Sequence, residues 1–149
     1  MRVVLQRATE ASVHVEDRLC GRIEGGLLAL LGVEESDTAE DLRYCVEKTA
    51  LLRIFEDDEG KMNRSVADVG GAVLAVSQFT LHGDARKGRR PSFSSAARPE
   101  EAVRLYAAYC NGLRDLGLSV AEGEFQAHMR VSLVNDGPVT LLLDSRRAF

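Results

Sequence analysis

Apolar and polar positions alternate over residues 2–15, with Val3, Leu5, Ala11, Val13 and Val15 falling on one side of a period-two pattern. That spacing predicts one long, bulged strand. Arg7 lies within it between Leu5 and Ala8, an awkward place for a charge unless it has a fixed partner. Asp17-Arg18 reads as a turn, Leu19 to Ile23 as a second strand and Gly25-Gly26 as a break. The run from Leu27 to Val33 is apolar almost throughout, which predicts a central strand covered on both faces. The period then changes. Ser36-Asp37-Thr38 offers an N-cap, Glu40 and Asp41 place negative charge in a first turn, and Leu42, Cys45, Val46, Thr49 and Leu52 recur at helical spacing. A helix over 38–52 follows from this. Residues 53–62 read as a hairpin with an acidic, solvated tip at Glu56-Asp57-Asp58-Glu59.

The second half repeats these signals. Ala72 to Val76 is a short apolar run suited to a buried strand. Pro99 fits the first position of a second helix, with Glu100 and Glu101 complementing its dipole. Val103, Leu105, Tyr106, Tyr109, Leu113 and Leu116 form its apolar face, and Gly117 ends it. Three further strands are predicted, Leu118 to Glu122, Met129 to Val134 and Val139 to Leu143, with Asp136-Gly137-Pro138 turning the last pair. A mostly antiparallel sheet carrying two helices is an α+β fold.

One stretch carries more polar chemistry than a strand needs. Ser77-Gln78-Phe79-Thr80-Leu81 places two hydroxyls and an amide at the end of the buried run, facing a loop with Gly83 and Gly88. Such a position suits a site, although Ser77 and Thr80 could equally serve only to satisfy backbone groups at a strand end. Directly after it, Arg86-Lys87-Gly88-Arg89-Arg90 sets four cations in five residues, able to meet a few phosphates or to lie as a solvated loop.

Composition narrows the options. At 149 residues the chain has the length of one domain, spanning 1–149, and its 45% hydrophobic and 28% charged content is that of a globular protein able to fold alone. A net charge of −4 argues against coating nucleic acid by global attraction. Cys20, Cys45 and Cys110 are an odd number at wide spacings and read as free thiols. His14, His82 and His128 are equally scattered, so no metal and no cofactor are expected, and no histidine has a nameable partner as a base. The opening residues contain neither a long apolar run nor a signal-peptide pattern, so a cytoplasmic protein without membrane contact is expected.

Taken together, Ser77-Gln78-Phe79-Thr80-Leu81 and Asn135-Asp136-Gly137-Pro138-Val139-Thr140 resemble the D-aminoacyl-tRNA deacylase family, also called D-tyrosyl-tRNA deacylases. The resemblance runs end to end, through Met1 to Arg7, Leu52 to Glu56, Lys61-Met62-Asn63 and Lys87 to Phe93 in the family's order and spacing. It departs at Gln126-Ala127-His128-Met129, where the family more often has a glycine and an aspartate before the methionine. The resemblance implies a barrel-like sheet, and a homodimer that hydrolyses the ester between a D-amino acid, or glycine, and the 3′-terminal adenosine of tRNA. It further implies that Gly137 and Pro138, joined by a cis bond, enter the pocket of the other subunit and that Arg7 holds their orientation. Met129 is carried over as a substrate contact, and Ser77, Gln78, Phe79 and Thr80 as the catalytic floor. From turn chemistry alone Asp136-Gly137-Pro138 reads as an ordinary hairpin turn.

Ser77 lacks the G-x-S-x-G elbow and a spaced base, so it reads as a positioning group. Backbone amides near Phe79 and Thr80 would form an oxyanion pocket, and the vicinal 2′-hydroxyl would help activate water. Phe79 reads either as pocket wall or adenine-stacking surface, or as core. Two other classes stay open: a non-catalytic nucleic-acid-binding module using Arg86 to Arg90, and a serine esterase using Ser77.

Overall fold

In the computed structural model, which describes residues 1–149, the fold is organised by one strand. This strand, β1 (Arg2–Val15), has partners along both edges. Along one edge it pairs antiparallel first with β3 (Gly26–Gly32), from Arg2↔Gly32 to Ala8↔Gly26, and then with β2 (Arg18–Ile23), from Ala11↔Ile23 to Val15↔Arg18. Along the other edge it pairs over its whole length with the C-terminal strand.

Helix α1 (Ala39–Leu51) follows β3, and a small hairpin of β4 (Phe55–Glu56) and β5 (Met62–Arg64) follows α1. The chain then re-enters the sheet as β6 (Ala72–Ser77), parallel to β3 in the register Gly26↔Ala72 to Leu31↔Ser77. After a second excursion through helix α2 (Pro99–Asp115), β7 (Ser119–Glu122) joins β6, again in parallel. Each parallel pair has a helix in its crossover, as such connections require. The three pairings of β1 stay antiparallel. The sheet then closes on itself where β2 meets β7. Gly21 allows this, because a Cβ there would stand 2.6 Å from the Glu122 carbonyl oxygen.

Two cores result. Leu27, Ala29 and Leu31 of β3 face the helices together with Val3, Leu5, Tyr109 and Leu113, while Leu28 and Leu74 point into the barrel with Ala8, Val13 and Val76. The continuous apolar run of β3 is thereby covered on both faces. On α2 the buried stripe is Leu105, Tyr106, Tyr109, Cys110 and Leu113, whereas Val103 and Leu116 are 40% and 48% exposed. They lie at the margins of the stripe and do not belong to the packed face as the spacing predicts.

The last strand corrects the sequence reading most. Residues 130–144 form one strand, β8 (Arg130–Asp144), and not two strands joined by a hairpin turn. Its pairing with β1 runs from His14↔Arg130 through Ala8↔Asn135 to Gln6↔Thr140 and Arg2↔Asp144. Between Asn135 and Thr140 the four residues 136–139 stand opposite Arg7 alone, so Asp136-Gly137-Pro138 is a wide bulge. Local turn chemistry supplies the kink, while the common partner β1 keeps the strand running in one direction.

Thr38 caps α1 as the sequence suggests. Its backbone N–H and its Oγ1 donate to Asp41 Oδ2 at 2.8 and 2.7 Å, its Oγ1 accepts from the Glu40 N–H at 3.3 Å, and Ser145 Oγ donates to Asp41 Oδ1 at 2.6 Å. Burial pushes the Asp41 carboxyl up, but these hydrogen bonds outweigh it and hold the group at about 2. Because the folded value lies below the unfolded one near 4, this stabilisation is present above about pH 4 and is lost as pH falls toward 2. Thr38→Ala is expected to cost about 1 kcal/mol in denaturant titrations at neutral pH. Melts from pH 5 down to pH 2 should show the variant losing less stability than the parent.

Candidate active site

Ser77 ends β6, and the chain turns at once into a 3-10 turn, Phe79–His82. Phe79 and Thr80 therefore belong to that turn and not to the strand end. The turn is seated on β3: the Gln78 N–H donates to the Leu31 carbonyl at 2.7 Å, and a Cβ on Gly32 would lie 3.0 Å from the Gln78 oxygen, from His82 Cδ2 and from Leu81 Cβ. Arg2 ties its far end, donating from Nη1 to the Leu81 carbonyl and from Nε to Asp144 Oδ2, both at 3.0 Å. Burial of Asp144 raises its carboxyl, but hydrogen bonds led by the Arg2 guanidinium reverse this and hold it below the usual carboxylate range. His82, 4% exposed beneath the turn, has no hydrogen-bond partner at Nε2.

Gln78 sits at the cap of the turn without bonding its backbone; its Nε2 donates instead to Thr80 Oγ1. The first N–H groups of such a turn have no acceptor within it. Phe79 is 58% exposed, which excludes the core alternative for this ring, and its neighbour is Phe93 in edge-to-face contact with centroids 5.2 Å apart.

Behind these residues lies a cavity of about 640 Å³, bounded by Ser77 to Phe79, by the Pro99 to Tyr106 side of α2 and by the segment 125–131 with Met129. Of its 18 lining residues 13 are hydrophobic, and none is a carboxylate, lysine, arginine or cysteine. Chemistry here cannot lean on an acid pair. The Tyr106 hydroxyl donates to the Ala75 carbonyl at 3.0 Å, and burial drives its phenol far above its ordinary value, so it stays protonated. His128 is exposed at the rim and is the one other titratable lining residue.

Gly137, Pro138 and Arg7 lie apart from this cavity, at the β8 bulge. The Gly137–Pro138 peptide bond is cis, and both residues are accessible to solvent. Arg7 lies under them, 6% exposed: its Nη1 donates to the Ile54 carbonyl at 2.8 Å, its Nε lies 3.0 Å from Asp136 Oδ2, and its guanidinium is 5.9 Å from the centre of the Phe55 ring. The Nε–Asp136 contact is an ion pair without hydrogen-bond alignment. Asn135 pins the bulge from its other side, donating from Nδ2 to the carbonyls of Arg7 at 2.9 Å and Val139 at 3.1 Å.

The structure therefore brings Ser77, Gln78, Phe79 and Met129 around one cavity with Thr80 beside it, and Arg7, Gly137 and Pro138 around another feature. Sequence reasoning did not single out Tyr106, Phe125 or Gln126 as lining residues, nor Asn135 as a brace. Tyr106 was legible only as part of an apolar stripe, and the contacts of Asn135 depend on strand pairing across more than a hundred residues.

Comparison with known proteins decides the family. The family model described as D-Tyr-tRNA(Tyr) deacylase matches residues 4–144. This chain belongs to the D-aminoacyl-tRNA deacylase family. Proteins named D-aminoacyl-tRNA deacylase from Koribacter versatilis and Thermosipho africanus are 60% and 56% identical to it over 149 residues, covering all of both chains. Among solved structures, the c-Myc DNA Unwinding Element Binding Protein superposes with a TM-score of 0.91 at 40% identity over 97% of this chain and 98% of its own. A probable eukaryotic D-amino acid tRNA deacylase shares the fold, with a TM-score of 0.80 at 21% identity, covering 95% of this chain and 97% of its own. The mixed sheet with two helices is thus the fold of the deacylase family.

In this deacylase family member the basic loop sits next to the cavity. Asp84 pairs with Ser92 across its base, as a bridge, and takes up Arg86 through a two-pronged contact at 2.8 and 2.7 Å. Lys87, Arg89 and Arg90 are exposed and make no ion pair within the chain. No helix is long and apolar enough to cross a membrane.

Proposed function

We infer that this protein hydrolyses the ester of D-aminoacyl-tRNA, and of glycyl-tRNA, as a homodimer in which each cavity is completed by the Gly137-Pro138 bulge of the other subunit. One observation carries this reading: the chain holds a cavity without an acid, base or cation of its own on the floor, and, elsewhere, an exposed Gly137-Pro138 bulge braced by Arg7 and Asn135. The bulge sits on β8, whose outer edge is unpaired over a 15-residue strand that also exposes Val134 and Leu142. A long free edge with apolar side chains is a template for a second chain.

The cavity would take the terminal adenosine, with Phe79 as stacking surface and Met129 as wall. Carbonyls of Gly137 and Pro138 from the partner would hold the α-ammonium of the amino acid. With ammonium and ester fixed, a D side chain points outward, while an L side chain meets main-chain atoms. About 4 kcal/mol of such strain separates the enantiomers roughly a thousandfold in rate. Glycine has only hydrogen there and passes.

Hydrolysis proceeds by addition of water to the ester carbonyl. The 2′-hydroxyl of the adenosine, held beside Thr80, orients that water, and the Phe79 and Thr80 amides receive the oxyanion. The C–O bond to the ribose then breaks, the 3′-oxygen takes the proton, and D-amino acid and tRNA leave. Ser77, without a base in contact, positions substrate and forms no acyl-enzyme.

The test compares D-tyrosyl-tRNA, L-tyrosyl-tRNA and a D-tyrosyl-tRNA ending in 2′-deoxyadenosine. Fast loss of the first alone is expected, with the deoxy ester slowed about a hundredfold or more, the usual scale of a lost proton-handling group. Equal loss of the D and L esters would remove the backbone filter. A second reading, a nucleic-acid-binding module, has support in the name of the solved relative at 40% identity and in the exposed Lys87, Arg89 and Arg90. It predicts salt-dependent RNA or DNA binding lost with those cations, and no ester turnover.

A further inference from the structure

We propose that Gln126 reads the terminal adenine through its side-chain amide, an inference that rests on the cavity's holding that nucleoside. Residues 124–127 form a turn closed by the Ala127 N–H on the Glu124 carbonyl at 3.2 Å, and Gln126, its third residue, has φ +63°. A positive φ at this position favours glycine, because an L side chain is crowded there. The turn therefore gains nothing from Gln126. Two other non-glycine residues adopt positive φ, Glu16 and Arg147; like Gln126 they are exposed, but neither lines the cavity. Of the three, Gln126 alone lines the cavity, as an exposed residue at its rim. A disfavoured backbone conformation at a binding cavity points to use of the side chain.

The rest of the lining says what that use is. The cavity is largely apolar and aromatic, with Phe79, Phe93 and Phe125 in its wall, which suits the face of a base but distinguishes none. An amide adds what the aromatic walls lack, an acceptor and a donor side by side. Adenine presents the complementary pair, a 6-amino donor next to a ring-nitrogen acceptor, and bidentate Gln–adenine pairing is a standard recognition geometry.

The experiment is a cycle between residue and base. D-tyrosyl-tRNA ending in adenosine and the same ester ending in purine riboside, which lacks the 6-amino group, are hydrolysed by the parent protein and by Gln126→Gly. The parent should lose about tenfold in kcat/KM on removal of the amino group. Gln126→Gly should treat the two esters within about twofold, with its loss on the adenosine ester in KM and not in kcat. Its Tm should be equal or higher, since glycine accepts the positive φ freely. A merely structural Gln126 would leave the parent's base discrimination intact in the variant, and that result overturns the proposal, as does a parent indifferent to the amino group. Absence of hydrolysis of the adenosine ester by the parent would instead sink the deacylase reading itself.

Discussion

Gly137→Ala is expected to reduce kcat/KM for D-tyrosyl-tRNA by about a hundredfold, the equivalent of roughly 3 kcal/mol at the transition state. Gly137 has φ +114°, and a Cβ there would stand 2.9 Å from Val139 Cγ2 and 3.0 Å from the Arg7 guanidinium. Arg7 cannot withdraw. It is buried, held by the Ile54 carbonyl and the Asp136 carboxylate, so the added methyl displaces the bulge and with it the carbonyls proposed to hold the α-ammonium. Some stability is lost as well, on the order of 1–3 kcal/mol for an L residue in this conformation. Gly70→Ala separates the two effects, because Gly70 has φ +66°, a methyl added there would meet nothing within 4 Å, and the residue belongs to neither the cavity nor the bulge. That variant should melt lower and hydrolyse normally. Full activity in Gly137→Ala would remove the bulge from the site.

Mixed dimers provide the second large effect. If the bulge of one subunit completes the cavity of the other, a subunit carrying Thr80→Ala with Phe79→Ala and a subunit carrying Gly137→Ala are each inactive as homodimers. Their mixed dimer contains one site with an intact cavity and an intact bulge, and one site lacking both. Purified through two different tags, it should regain about half of the parental turnover per dimer, against a background lower by the roughly hundredfold loss above. A cavity completed by its own chain predicts no recovery. The measurement also decides oligomeric state, since monomers cannot be purified through two tags at all. The apolar, unpaired edge of β8 is where contact is expected, and Val134→Lys should weaken association without touching the cavity.

Much of this was legible along the chain. Alternation located β1, the unbroken apolar run of residues 27–33 identified a strand covered twice, and caps at Thr38, Pro99 and Gly117 marked helix ends to within a residue or two. These signals are local, set by side-chain period and backbone preference within a few residues. The two motifs around Ser77 and Gly137 were visible for a different reason, their joint resemblance to one family. Asp136-Gly137-Pro138 reads as a reversal along the chain because turn residues announce a kink but not its consequence. Whether the chain reverses or bulges depends on what lies alongside, and here that is Arg7 of β1, at the opposite end of the sequence.

The sequence by itself determined both helices, the strands up to β7, the double burial of β3, the polar end of β6 and the family, but not the continuity of β8. Tertiary structure decided that β6 runs parallel to β3 and β7, that Gln126 shares a cavity wall with Phe79, and that the two motifs occupy separate features of one chain. The physical reason is the range of the interactions. Periodicity and capping act over a turn or a strand pair, whereas cavity walls and braces are made by side chains that only the closed sheet brings within van der Waals or hydrogen-bonding distance.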